Sequence, residues 1–171
     1  LRFFSEHRSF AIISHAEPDG DCIGSSLALA AFLRGYSGPD TQSVLLYSPG
    51  PFNRMEIREF EPYFRPSIDD GWKNAEAVVV LDCSTPERIG LFQEHLGEKP
   101  VAVIDHHSAG KPFGTVRYID PSAPSVTYCI NLLFDYTNIT PTKQTATNIL
   151  FGLCTDTGFF RHVKEHSGSV F

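Results

Sequence analysis

Short apolar runs that end abruptly in an acid or an imidazole recur along this chain. Residues 10–14 read Phe-Ala-Ile-Ile-Ser and lead into His15; residues 75–81 are almost continuously apolar and lead into Asp82; Val101, Ala102, Val103 and Ile104 lead into Asp105-His106-His107. Runs that are β-branched and continuous rather than alternating predict strands buried on both faces. Further strands are predicted at 43–47 and 115–119. Between them, residues 27–33 form a helix that is apolar nearly all round and so buried. A loop over 15–26 precedes it, broken by Pro18, Gly20 and Gly24, with Ser25 or Ser26 as the helix cap. A turn is expected at 35–39. Residues 48–70 are punctuated by prolines, with one short helix near 53–60. Pro86 opens a helix to about residue 94, and another runs from 125 to 134. The last full helix starts at Pro141 with Thr140 as cap, presents Ala146, Ile149, Leu150 and Leu153 inward, and stops at a left-handed Gly158. Residues 167–171 read as one more helix start. Strands alternating with helices give an α/β fold, a mostly parallel sheet covered by helices on both faces through βαβ units.

Composition narrows the picture. With 171 residues, 42% of them apolar, the chain is long enough for one sizeable core and shows no repeat or linker. The net charge of −6 with no Lys/Arg run excludes a broad electrostatic grip on long nucleic acid. No stretch is long and apolar enough to span a bilayer, and the amino end lacks the layout of a signal peptide, so the expected location is cytoplasmic, away from membranes. Cys22, Cys83, Cys129 and Cys154 have no CxxC spacing and are expected to be reduced.

Ligands of an open parallel sheet sit off the carboxyl ends of its strands. His15 with Asp19 and Asp21, Asp82, and Asp105 with His106 and His107 therefore belong on one edge, and Asp156 joins them if the last helix packs antiparallel to the strand before it. Five carboxylates so close cannot all stay ionised without a cation. Imidazole and carboxylate donors favour Mn²⁺ ahead of Mg²⁺, with Co²⁺, Fe²⁺ or Zn²⁺ as substitutes. The donors exceed the needs of one ion. Two ions about 3.5–4 Å apart, bridged by a carboxylate and hydroxide, are the arrangement used for in-line attack on phosphorus. Each residue also has a plainer role: His15 as a strand-end histidine, Ser25 and Gly24 as parts of a helix start that can also receive an anion, Arg88 as half of an ion pair. Cys22, Cys83 and Cys154 lie near the proposed ligands but are read as small buried residues of tight loops.

Four motifs in order, His15-x-x-Pro18-Asp19-x-Asp21-x-x-Gly24-Ser25, a strand ending at Asp82, Asp105-His106-His107, and Thr155-Asp156-Thr157-Gly158, resemble those of the DHH phosphoesterase superfamily. The resemblance runs over about residues 10–160, and Asp82-Cys83-Ser84 with Arg88-Ile89-Gly90 is most similar to the bacterial oligoribonuclease and 3′-phosphoadenosine-5′-phosphate phosphatase branch. It implies that His15 and Asp19 hold one metal, that Asp21, His106 and Asp156 hold the other, and that Asp82 bridges both. It further implies that His107 faces the substrate phosphate and that Asp105 orients an imidazole; apart from the resemblance, Ser25 at the helix amino terminus and Arg88 on the rim are read as substrate contacts, with the plainer roles above kept open. The implied activity is hydrolysis of short RNA or small phosphorylated nucleotides. Pyrophosphatase, polyphosphatase and cyclic-dinucleotide phosphodiesterase chemistry in the same superfamily, or a metal-binding module without turnover, are the alternatives. In the family pattern a DHH-associated substrate-binding domain follows, and residues 1–171 contain no such segment. The cleft wall it would cover is expected to promote self-association, a homodimer included.

Overall fold

A computed structural model describes residues 1–36 and 43–163. Most of the turn expected at 35–39 and the helix start at 167–171 lie outside the described residues. Five strands, β1 (Ser9–Ser14), β2 (Ser43–Tyr47), β3 (Ala77–Leu81), β4 (Val101–Asp105) and β5 (Val116–Ile119), form one sheet in the order β2-β1-β3-β4-β5, and every pairing is parallel. The helices are α1 (Arg2–Ser5), α2 (Gly20–Tyr36), α3 (Asp70–Asn74), α4 (Val126–Thr137) and α5 (Lys143–Asp156), with 3-10 segments at Arg58–Tyr63 and Pro86–Glu98. The fold is α/β. No helix among the described residues is long and apolar enough to cross a membrane.

Alternation along the strands divides the core in two. Phe10, Ile12, Val79, Leu81, Ala102 and Ile104 face α2, α4 and α5, whereas Ala11, Ile13, Val78, Val80 and Val103 face Trp72 of α3 and Ile89, Phe92 and Leu96 of the second 3-10 segment. Both faces are covered, as a parallel sheet requires. The second 3-10 segment occupies the place expected for a regular helix from Pro86, and it kinks at Gly90, where φ is +61°.

α2 begins five residues before the earlier of the two expected caps. Asp19 ends the loop by accepting a hydrogen bond from the Cys22 amide through Oδ1 at 3.1 Å, and the Ile23 amide already donates to the Asp19 carbonyl. Gly20 and Gly24 do not break the helix; they let α5 approach it. A Cβ on Gly24 would lie 2.5 Å from the Asn148 carbonyl oxygen, and one on Gly20 would lie 2.2 Å from Thr155 Oγ1. α5 itself starts after Thr142, whose hydroxyl accepts from the Thr145 amide, so Thr142 rather than Thr140 is the cap. The inward face of α5 is also rotated from the expected one. Thr145, Asn148, Ile149 and Gly152 are buried, while Ala146 and Leu150 are exposed, because the small residues face the crowded α2 and α4.

Close α2–α5 packing carries Asp156 to the strand ends, and a test of it follows. Gly24→Ala should destabilise by about 1–3 kcal/mol through overpacking, although alanine in a helix interior is favoured by about 1 kcal/mol over glycine. Urea unfolding measures the balance, and a net gain in stability would mean that α2 and α5 are farther apart than this.

Candidate metal centre

The sheet register sets the level of every ligand. Ser14 pairs with Leu81 and Leu81 with Ile104, so the next residues, His15, Asp82 and Asp105, emerge side by side at the carboxyl edge. The chain leaves β1 for β2 on one side and returns to β3 on the other, which makes the β1–β3 crevice the topological switch point. His15 and Asp82 flank it.

Asp82 sits at the middle of the cluster, 3% exposed, with a left-handed backbone at φ +54°. This conformation costs a non-glycine residue roughly 1–2 kcal/mol and turns the side chain off the strand axis. Its two oxygens face different neighbours. Oδ2 lies 3.6 Å from His15 Nε2 and accepts from Cys22 Sγ at 3.3 Å, while Oδ1 lies 3.7 Å from both His106 Nε2 and His107 Nδ1. Oδ1 is buried and accepts no hydrogen bond among the described residues. Burial alone would raise this carboxyl, but His15, then His106 and His107, more than offset it and hold Asp82 below the ordinary carboxylate range.

Around these two oxygens the donors divide into overlapping groups whose ligand atoms lie within 4.8 Å of one another: His15, Asp19, Cys22 and Asp82; Asp82, His106 and His107; Asp21, His106 and Asp156. His15 Nδ1 is 2.7 Å from the Ala16 carbonyl, which leaves Nε2 for the centre. Burial opposes a charge on His15, yet Asp82 and the Ala16 carbonyl raise its pKa. Asp156 reaches His106 Nε2 at 3.6 Å from the end of α5. Burial and the charges of Asp82 and Asp19 push Asp156 above the ordinary carboxylate range, although His106 and His107 pull the other way.

Asp21 is fully buried and serves the fold as well. Its Oδ2 accepts from the Val126 amide at 2.6 Å and its Oδ1 from the Thr127 amide at 2.8 Å, so it holds the first turn of α4. Burial and the Asp82 charge nevertheless push it well above the ordinary range. The backbone bends at Asp105-His106-His107, where successive side chains of a regular strand would alternate faces. Asp105 Oδ1 accepts from the His106 and His107 amides at 2.8 and 3.3 Å and meets His107 Nδ1 at 2.7 Å, and the two rings stand 69° apart. His106 points inward, its side chain 16% exposed, and His107 points across the cleft at 39%. The Asp105 hydrogen bond raises the His107 pKa against partial burial.

Two sequence-based substrate contacts fare differently. Arg88 is exposed on the rim, its carbonyl accepts from the Ala16 amide at 2.7 Å, and its charge acts on both His15 and His107. Ser25 is fully buried, and its hydroxyl donates to the Asp21 and Cys22 carbonyls, so the contact expected of it is replaced by a bond inside α2. Cys22, read from the sequence as a small buried residue near the ligands, is buried as expected, but its Sγ also donates to Asp82 Oδ2. Its position inside the first motif was the available signal.

A parallel α/β sheet with imidazoles and carboxylates gathered at its switch point defines the class. The chain belongs to the DHH family, whose N-terminal domain matches residues 9–154. It is 33% identical over 151 residues to the bifunctional oligoribonuclease and PAP phosphatase NrnA of Thermus thermophilus, covering 88% of this chain and 44% of that protein. It is 27% identical over 167 residues to a probable manganese-dependent inorganic pyrophosphatase of Streptococcus mutans, covering 91% and 50%. The crystal structure of an exopolyphosphatase-related protein from Bacteroides fragilis shares the fold, with a TM-score of 0.82 at 23% identity over 99% of this chain and 52% of that one. The chain spans about half the length of the curated relatives it matches.

If Asp105 sets the charge on His107, Asp105→Asn should move the His107 titration to lower pH in metal-free protein, since the amide keeps the turn but loses the charge. Imidazole NMR reads this directly, and an unmoved titration would show that another group controls His107.

Proposed function

We propose that this chain carries the metal centre of a phosphohydrolase acting on short nucleotides, of the oligoribonuclease and 3′-phosphoadenosine-5′-phosphate phosphatase type. The observation that carries the reading is the division of donors about Asp82, with His15 and Asp19 on the Oδ2 side and His106 on the Oδ1 side. The residues fit divalent cations: a buried carboxylate oxygen without a hydrogen-bond partner among the described residues, two further carboxylates raised by burial and then by like charge, and imidazoles whose outer nitrogens are fixed by carbonyls. In this reading His15, Asp19 and Asp82 hold one ion and Asp21, His106, Asp156 and Asp82 the other, with Mn²⁺ the preferred metal. Bound in this way, the two cations supply an activated water and neutralise the charge that develops on phosphorus oxygens.

The chain's own groups then divide the remaining work. His107, tied through Nδ1 to Asp105, keeps its other nitrogen for a proton directed at a phosphate oxygen. Asp105 positions it and does not touch substrate. Arg88 on the rim adds a positive charge beside the phosphate. A net charge of −6 without a basic stripe favours substrates of a few nucleotides over long strands. Inorganic pyrophosphate is the second reading, supported by the likeness to the manganese-dependent pyrophosphatase.

The experiment is a panel of short RNA, 3′-phosphoadenosine-5′-phosphate, pyrophosphate and a cyclic dinucleotide assayed with Mn²⁺. Turnover should be greatest on the first two, with shallow salt dependence, and Asp82→Asn should cost more activity than His107→Ala because it removes charge from the shared ligand. Preference for pyrophosphate would move the assignment to the second reading, and equal losses in the two variants would remove Asp82 from the bridging role.

A further inference from the structure

The buried thiols of this protein do not behave alike. Cys83 Sγ donates to the Thr85 carbonyl at 3.0 Å and Cys129 Sγ to the Ser125 carbonyl at 3.6 Å, the ordinary contacts of a structural cysteine. Cys22, which is completely buried in the first turn of α2, instead donates to a carboxylate, Asp82 Oδ2, at 3.3 Å. That oxygen is also the one approached by His15 Nε2 at 3.6 Å, and His15 Nε2 lies 3.9 Å from Asp19 Oδ2. The sulfur is therefore a member of the donor group and not a neighbour of it.

These separations suit a common ion. Zinc-type bonds of about 2.3 Å to sulfur and 2.0–2.2 Å to nitrogen and oxygen give a tetrahedron with edges of roughly 3.4–3.6 Å. The S–O and N–O separations around Asp82 Oδ2 fall close to these edges, and the second N–O pair is a few tenths longer. A second observation also points to a cation-bearing centre here: the other oxygen of Asp82, on a residue 3% exposed, is buried on the His106 and His107 side with no hydrogen-bond partner among the described residues. The group formed by Asp21, His106 and Asp156 contains no sulfur.

We propose that Cys22 makes the centre chemically asymmetric: its Sγ is the fourth protein ligand of a thiophilic divalent ion, Zn²⁺ or Co²⁺ in place of Mn²⁺ at this one position, held with His15, Asp19 and Asp82 and able to take solvent as a fifth ligand, while the second position keeps nitrogen and oxygen donors only. This rests on the metal-centre reading above. On binding, the ion takes the place of the thiol proton, which passes to bulk water, and Asp82 Oδ2 exchanges its S–H donor for the metal. Soft sulfur raises affinity for Zn²⁺ and Co²⁺ far more than for Mn²⁺. The two positions then differ in metal preference, and Zn²⁺ or Co²⁺ fills the sulfur-bearing position first.

Co²⁺ titration of the metal-free protein, followed by absorption spectroscopy, separates the outcomes. The first equivalent should produce the near-ultraviolet sulfur-to-cobalt charge-transfer band, and later equivalents should add little to it. The band should survive in Cys129→Ala and vanish in Cys22→Ala and Cys22→Ser. Zn²⁺ affinity in the Cys22 variants should fall by more than the roughly 10–100-fold that loss of an outer-shell partner costs, with Mn²⁺ affinity changed much less. Co²⁺ binding without the band in the unaltered protein overturns thiol ligation and leaves the metal centre standing. A band that persists without Cys22 overturns the proposal too, since the sulfur is then another cysteine's. No Co²⁺ binding at all overturns both the proposal and the centre it rests on.

Discussion

Placing a carboxylate at the end of a central strand, almost out of water, creates a demand that the surrounding chain must meet. Asp82 is in that position, with its backbone in a left-handed conformation and three imidazoles facing it. The imidazoles hold it below the ordinary carboxylate range, and burial together with its charge pushes Asp21 and Asp156 upward. A cluster balanced in this way is complete only with positive charge added between its carboxylates. Binding an ion at a free concentration a hundredfold above its Kd would stabilise the folded chain by about 2.7 kcal/mol, so the centre and the fold are linked.

Asp21 is where that link is most direct. Its carboxylate accepts the first two amides of α4 while lying in one donor group with His106 and Asp156. Loss of Asp21 would leave amides at a buried helix start without an acceptor and would remove a candidate ligand at the same stroke. The glycines of α2 and α5 act at the same junction, since side chains there would push Asp156 off the strand ends. Residues that look like helix breakers in the sequence are in this sense part of the centre.

How much could be read from the chain itself follows from the same physics. Strands β1, β3 and β4 were legible because their apolar runs change abruptly into a metal-capable residue, and β4 must end in a turn there because consecutive Asp, His and His cannot share one face of a strand. The start of α2 was not. Pro18, Gly20 and Gly24 argue locally for a loop, and only tertiary contact with α5 shows that the glycines serve close packing while Asp19 caps the helix. Leu150 was placed inward by its hydrophobicity, but the site beside α2 and α4 has room only for Gly152 and its small neighbours. Ser25 was assigned to substrate from its place at an expected helix start, but the helix begins at Gly20 and leaves Ser25 buried within it. For Cys22, burial was foreseen, whereas its contact with a carboxylate was not, because a thiol's partner lies sixty residues away in sequence.

The claim on which all of this turns is that Asp82 is shared between two cation positions. Equilibrium dialysis of metal-free protein against Mn²⁺, followed by elemental analysis, measures it most directly. The account predicts close to two ions bound per chain, with Asp82→Asn weakening both. A chain that binds no Mn²⁺, or one whose two sites respond to Asp82→Asn independently with one left unchanged, would contradict it.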